Sequence, residues 1–284
     1  MQIQKSFQHN KATLFLVSTP IGNLSDMTPR AIEVLRSVAI IASEDTRRSL
    51  KLCTHFEITT SLTSYHEHNK QQKTKVILDR LSVGDDVALV SDAGMPLISD
   101  PGDQLVEKAL EAGYAVVPIP GANAALTALV ASGLTPQPFL FYGFLERQKS
   151  KRKAELATLA PLMVTLIFYE SPHRLKETLS AMLDVFGNRQ VVVARELTKM
   201  FEEFLRGSIT ELLAHLQDVK GEVVLLVEGN YLEPEMDAWW EGLQLQDHVD
   251  HYISEGMKPN AAIKQVAIDL RRARQEVYKE YHHD

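Results

Sequence analysis

The chain has 284 residues, 45% of them hydrophobic and 24% charged, which allows more than one packed core and excludes a disordered class. Its formal net charge of −7 argues against the broad basic face of a non-specific nucleic-acid binder, although a local basic patch remains open. Cys53 is the single cysteine, so no disulfide closes within the chain, which fits a reducing cytoplasm, and no apolar run reaches the length of a membrane span.

Residues 1–12 read as a polar, frayed tail without the apolar centre of a signal peptide. Residues 13–17 predict a first strand, which ends where Pro20 and Gly22 forbid its continuation. Thr28 as N-cap and Pro29 at the first helical position open a helix striped by Ala31, Val34, Leu35 and Val38. A second strand over 39–42 ends in Ser43-Glu44-Asp45-Thr46-Arg47-Arg48. His66 and His68 have a spacing that could flank a metal, but no second ligand group accompanies them, and a hydrogen-bonding or substrate-facing loop is the better reading.

The chain is organised around residues 87–102. Val87 to Val90 is a continuous apolar run, as a strand covered on both faces requires, and Ser91-Asp92-Ala93-Gly94 then brings almost no bulk. A ligand can approach such a turn closely, and open α/β sheets bind ligands at the carboxyl ends of their strands. A helix over 103–112, a strand over 115–119, a second small-residue turn at Pro120-Gly121-Ala122-Asn123 and an Ala/Leu-rich helix over 124–131 follow. Gly and Pro between 133 and 138 mark a domain boundary.

The second half begins with the apolar run 139–144, offers strands over 165–169 and 191–194 and a strand and turn over 201–207, and closes with the apolar run 222–229. Arg147, Lys149, Lys151, Arg152 and Lys153 read either as a solvated loop and helix start or as phosphate contacts for a polyanion. Beyond Tyr231 the pattern turns helical, with Ala261, Ala262, Ile263, Val266, Ala267 and Leu270 on one face and Arg271, Arg272 and Arg274 after them. The fold class is therefore α/β: two domains (13–132 and 133–231) with mostly parallel or mixed sheets, then a small helical extension over 232–284.

Neither a Walker loop nor a Gly-x-Gly-x-x-Gly fingerprint is present, so no motif cradles a pyrophosphate. A cleft of small residues, backbone amides and acids suits a partly cationic ligand without phosphates. S-adenosylmethionine, with its ammonium, sulfonium and ribose diol, fits that description, and Asp92 is placed to accept hydrogen bonds from it. Many other ligands would fit as well.

Six blocks stand in one order: Thr19-Pro20-Ile21-Gly22-Asn23, Glu44-Asp45-Thr46-Arg47, Ser91-Asp92-Ala93-Gly94, Asp100-Pro101-Gly102, Tyr169-Glu170-Ser171-Pro172-His173-Arg174 and Ala194-Arg195-Glu196-Leu197-Thr198-Lys199. Together they resemble the ribosomal RNA small subunit methyltransferase I family, of the tetrapyrrole methylase superfamily, over residues 14–229. The resemblance implies a homodimer with S-adenosylmethionine between two α/β domains. It also implies methyl transfer to the ribose 2′-hydroxyl of a cytidine in the decoding region of 16S rRNA, within the small subunit. It assigns the cofactor to Ile21, Ser91, Asp92, Gly94, Met95, Asn123 and Ala124 (the last two after Pro120-Gly121), with Tyr169 and Glu170 closing the pocket. The family usually carries Thr where Met95 stands and often Pro where Ala122 stands, and a thioether cannot replace a hydroxyl donor.

Glu44, Asp45, Glu170, Glu196 and Lys199 all end strands and are candidates for moving the hydroxyl proton. Each could equally be an ion-pair partner of Arg47, Arg174 or Arg195. Lys199 and Glu170 are the preferred pair. Two alternatives stand beside the RNA reading: a small-molecule tetrapyrrole methylase, and a catalytically silent RNA-binding or assembly module.

Overall fold

The structure is a computed structural model, and it describes residues 3–6, 8, 11–216, 219–231, 239–240, 242–270 and 272–282. The chain divides into two compact units, Met1–Tyr231 and Leu232–Asp284.

The first sheet holds β1 (Thr13–Val17), β2 (Ile40–Ser43), β3 (Leu62–Ser64), β4 (Val87–Val90) and β5 (Ala115–Ile119). All are parallel, in the order β3-β2-β4-β1-β5. Helices α1 (Pro29–Ser37) and α2 (Thr46–His55) cover one face, through Ala31, Leu35 and Cys53 on Val17, Ala88 and Val117. Helices α3 (Lys70–Ser82) and α4 (Asp103–Glu111) cover the other, through Ile77, Leu81 and Leu105 on Leu14, Val87 and Leu89. Burial on both faces is why β4 reads as unbroken apolar sequence. Strands β4 and β5 flank β1, so the chain skips over β1 between them. Such a switch point opens a crevice at the strands' carboxyl ends.

The second sheet is mixed, in the order β6-β7-β10-β8-β9. Its strands are β6 (Phe139–Phe144), β7 (Thr165–Glu170), β8 (Gln190–Arg195), β9 (Glu203–Ser208) and β10 (Val223–Val227). The two-residue alternation of a strand sorts its faces. Leu166, Phe168, Val191, Val193 and Leu225 pack under α6 (Lys149–Leu159), α7 (Leu175–Phe186) and α8 (Ile209–His215). Ile167, Val192, Ala194, Val224 and Leu226 face the other way, onto Ala125, Ala128 and Leu129 of α5 (Ala124–Ser132). Thus α5, which follows the last strand of the first sheet, covers the second. This shared core holds the two sheets in one unit and fixes the turns at their ends against each other.

In the remaining unit, α9 (Leu245–Ser254), α10 (Pro259–Asp269) and α11 (Arg274–Tyr281) share a core of Leu245, Val249, Ala262, Ile263, Val266, Ala267 and Val277. Ala261, expected on the apolar face, is exposed. The buried Asp269 carboxylate accepts from Tyr252 at 2.7 Å and Gln265 at 2.8 Å, and it lies 3.1 Å from His248 Nε2. Burial lowers the His248 pKa against the pull of Asp269, which raises it.

Candidate active site

The turns after β1 and β4 are laced together. Thr19 and Gly94 exchange both backbone hydrogen bonds, at 2.8 and 3.0 Å, and the Thr19 hydroxyl donates to the Ser91 carbonyl at 3.1 Å. Gly94 has a φ of +83°, and a Cβ there would sit 3.3 Å from Ile21 Cγ2, so the turn takes glycine for conformation as well as space. In the next turn, a Cβ on Gly121 would stand 2.7 Å from Ser18 Cβ, so the β1 and β5 turns are in close contact too.

A cavity of about 380 Å³ opens at these strand ends, within the usual size of a small-ligand pocket. Ile21, Asp92, Gly94, Met95, Asn123, Ala124, Tyr169 and Glu170 line it, together with Asp100, Phe144, Leu197 and Glu222. Ser91 belongs instead to an adjoining cavity of about 310 Å³. Pro120 and Gly121 line neither and form the turn behind. The Asn123 side chain is committed as the N-cap of α5, accepting from Leu126 N–H at 3.0 Å, so it presents mainly backbone to a ligand. The Tyr169 ring packs against Phe141 and Phe144 at centroid separations of 4.9 and 5.6 Å.

Three carboxylates, those of Glu44, Asp92 and Asp100, lie close enough to act on one another. Asp92 accepts from the Asp45 N–H at 3.0 Å and lies 3.4 Å from Arg48. Asp100 is pushed up to about 6, by burial first and then by Glu44 and Asp92. Burial, then Asp92, raises Glu44 as well. The loop that delivers Asp100 is strained: Leu97 and Ser99 on either side of Ile98 have φ of +71° and +66°, a region non-glycine residues rarely enter. Asp100 was not among the sequence-derived site residues. Its signal was present in the Asp-Pro-Gly block, but nothing local showed that the loop turns it inward.

The proposed catalytic pair is not assembled. Glu170 is buried, with one oxygen accepting from Ser171 N–H at 2.7 Å, the other from the Thr178 hydroxyl at 2.6 Å, and Arg174 at 3.6 Å. Its carboxylate anchors the start of α7, and it shares no hydrogen bond or ion pair with Lys199 among the described residues. Lys199 bonds instead to Glu196 at 2.9 Å and to Glu222 at 3.0 Å. Burial pulls the Lys199 ammonium down, but the two carboxylates outweigh it and its pKa is raised, so the group is a cation at neutral pH. Its stem lies across Gly22, where a Cβ would meet Lys199 Cγ at 2.5 Å. Glu196 (φ +50°) and Thr198 (φ +67°) carry the strain of aiming this loop. Asp45 caps α2 and binds Arg47, and hydrogen bonds from Arg47 hold its carboxyl down at about 2.

The basic run over 147–153 divides. Arg147, Lys149 and Lys151 are exposed, and Lys153 pairs with Asp184 at 2.6 Å. Arg152 is only 2% exposed and lies 3.4 Å from Glu177, turned inward because α6 packs that face on α7, so it offers nothing to a phosphate. Arg272 pairs with Glu276 and Glu280, Arg274 begins α11, and Arg271 lies outside the described residues. His66 bonds to Asn69, and no group of three metal ligands occurs among the described residues.

Two α/β layers with a cavity at the ends of both sheets define the class. A family model described as Tetrapyrrole (Corrin/Porphyrin) Methylases matches residues 13–213. Solved structures share the fold: a diphthine synthase (TM-score 0.61, 13% identity, 78% of this chain and 92% of that one). Another is a uroporphyrin-III C-methyltransferase from Thermus thermophilus complexed with S-adenosylhomocysteine (TM-score 0.57, 16% identity, 76% and 97%). Among curated relatives, the ribosomal RNA small subunit methyltransferase I of Bacillus subtilis (strain 168) is 55% identical over 273 residues, covering 95% of this chain and 94% of that protein. The protein of the same name from Halalkalibacterium halodurans is 53% identical over 290 residues and the full length of both. The chain belongs to the ribosomal RNA small subunit methyltransferase I family, within the tetrapyrrole methylases.

Proposed function

We propose that this protein transfers a methyl group from S-adenosylmethionine to 16S rRNA of the small ribosomal subunit, at the ribose 2′-hydroxyl of a cytidine, as a cytoplasmic homodimer. The names of the relatives support the RNA. The observation that carries the cofactor is the cavity at the sheet ends with its crowded acids. Burial first, and then neighbouring negative charge that includes Asp92, raises both Glu44 and Asp100, and a bound cation would relieve that repulsion. The residues therefore fit a ligand bearing an ammonium and a sulfonium. Asp92 and Asp100 would hold its charge, the backbone of the Gly94 and Asn123 turns its polar edges, and Tyr169 with Phe144 its apolar surface. Met95 stands at this cavity beside a turn tied by the Thr19–Gly94 backbone pair and by the Thr19 and Ser91 hydroxyls, so the absence of a hydroxyl at position 95 leaves the turn intact.

When bound, S-adenosylmethionine supplies an electrophilic methyl group. The ribose hydroxyl is a poor nucleophile until its proton leaves; that proton would pass to water as the O–CH3 bond forms and the S–CH3 bond breaks, and the cationic Lys199 Nζ would hold the negative charge that develops on the oxygen. Glu196 and Glu222 orient that ammonium, and Gly22 leaves room for its stem. Glu170 serves the architecture of the pocket rather than the proton. Calorimetric titration with S-adenosylmethionine, followed by transfer of labelled methyl to small subunits lacking the modification, tests the reading. Transfer to a tetrapyrrole acceptor and not to rRNA would replace it, as would cofactor binding with no transfer at all.

A further inference from the structure

The smaller cavity, about 310 Å³, adjoins the first through Ile21, Arg48, Asp92, Ala93 and Glu222, which line both. Its chemistry differs. Three cations reach it from two directions: Arg48 and Lys51 from α2, and Lys199 from the loop after β8. Two acids oppose them, and each is already engaged, Asp92 by Arg48 and Glu222 by Lys199. Lys51 is exposed and has no acidic partner among the described residues. Leu24 and Leu52 add apolar surface, and Thr19 and Ser49 add hydroxyls. A helix repeats every 3.6 residues, so Arg48, Lys51 and Leu52 share one side of α2 and face the cavity as a set. The first cavity collects negative charge, and the second collects positive charge, hydroxyls and an apolar patch.

Resting on the function proposed above, we propose that this second cavity is the subsite for the nucleotide that receives the methyl group, with Arg48 and Lys51 gripping the phosphate beside it. Transfer to one ribose hydroxyl requires that nucleotide to be held in a fixed position, and cationic contacts to the flanking phosphates supply such positioning. In this cavity the ribose would lie by Lys199, whose partner Glu222 lines both cavities, and the phosphate by Arg48 and Lys51 of α2. Charge and helical phase together select this side of α2, which neither basic segment singled out from sequence includes.

Lys51 touches only the second cavity, so it separates the two sites. Binding of a 16S rRNA fragment is measured by fluorescence anisotropy between about 50 and 200 mM salt for wild type, Lys51→Glu, Lys51→Arg and Lys75→Glu, the last being the same charge change at an exposed site on α3. Cofactor affinity is measured by calorimetry on the same samples. Lys51→Glu is expected to weaken RNA binding roughly tenfold or more and to lower the slope of log K against log salt by about 1, with cofactor affinity unchanged. Lys51→Arg should bind as wild type, and Lys75→Glu should lose at most about threefold. Lys51→Glu and Lys75→Glu binding RNA equally well would overturn the subsite, as would a wild type that binds no RNA. Methyl transfer to rRNA that is indifferent to Lys51 contradicts the subsite alone. Lys51-dependent RNA binding without any transfer supports the subsite and contradicts the proposed reaction.

Discussion

Lys199 and Asp100 are the two residues whose surroundings say most about their work. Lys199 is held by two carboxylates and laid across a glycine, so it is a fixed cation rather than a base awaiting a proton. Lys199→Met is expected to cut single-turnover methyl transfer by roughly 10²-fold at saturating RNA while leaving cofactor affinity within a few-fold, as loss of a positioned electrostatic group does. Asp100 makes a pH prediction with a definite sign. Its folded pKa of about 6 lies above its ordinary 3.8, so between those values the folded state binds more protons than the unfolded one, and the group's contribution to stability falls as pH rises through that window. A bound cation favours the ionised form, so cofactor affinity should rise as pH climbs through about 6. Asp100→Asn should flatten that rise in calorimetric titrations and, in denaturant unfolding without cofactor at neutral pH, be at least as stable as wild type. An Asp100→Asn protein with the wild-type pH profile would remove Asp100 from the cofactor's charge.

At the scale of elements, the turns matter more than the strands they end. Gly22 stands where φ is +149° and where Lys199 needs its room, so Gly22→Ala strains the turn and displaces the lysine together. The expected result is a fall in transfer rate approaching that of Lys199→Met, with the protein still folded by circular dichroism. A Gly22→Ala enzyme with normal turnover would show that Lys199 does not need this position. These turns were legible in the sequence, because small residues after an apolar run mark a strand end. Four features were not. Strand β3 is three half-buried residues, too short for alternation to register. Strand β9 runs on through Gly207 to Ser208, past the turn expected there, because the ladder with β8 pairs Gly207 with Val191. The orientation of Glu170 was hidden because its partner Thr178 lies eight residues on, in the first turn of α7, a contact made only in three dimensions. The same holds for Arg152: a basic run reads as a solvated face until helix packing turns one member inward.

The whole chain comprises two units with different duties, and no helix among the described residues is long and apolar enough to cross a membrane. The α/β unit carries both cavities. The helical unit is knit by one buried carboxylate, Asp269, serving Tyr252, Gln265 and His248. Removing it strands buried partners, so Asp269→Ala should destabilise that unit by about 3 kcal/mol or more. Hydrogen exchange should then speed up in α9 to α11 while S-adenosylmethionine binding by the α/β unit persists. Loss of cofactor binding in that variant would mean that the two units are coupled.

The most direct test of the account is analysis of the RNA product. Small subunits lacking the modification are incubated with the protein and labelled S-adenosylmethionine, and the rRNA is digested to nucleosides and mapped by mass spectrometry. The account predicts a single 2′-O-methylcytidine in 16S rRNA, appearing with wild type and all but absent with Lys199→Met. A methyl group on a base, or no methyl group from a folded protein that binds the cofactor, would contradict it.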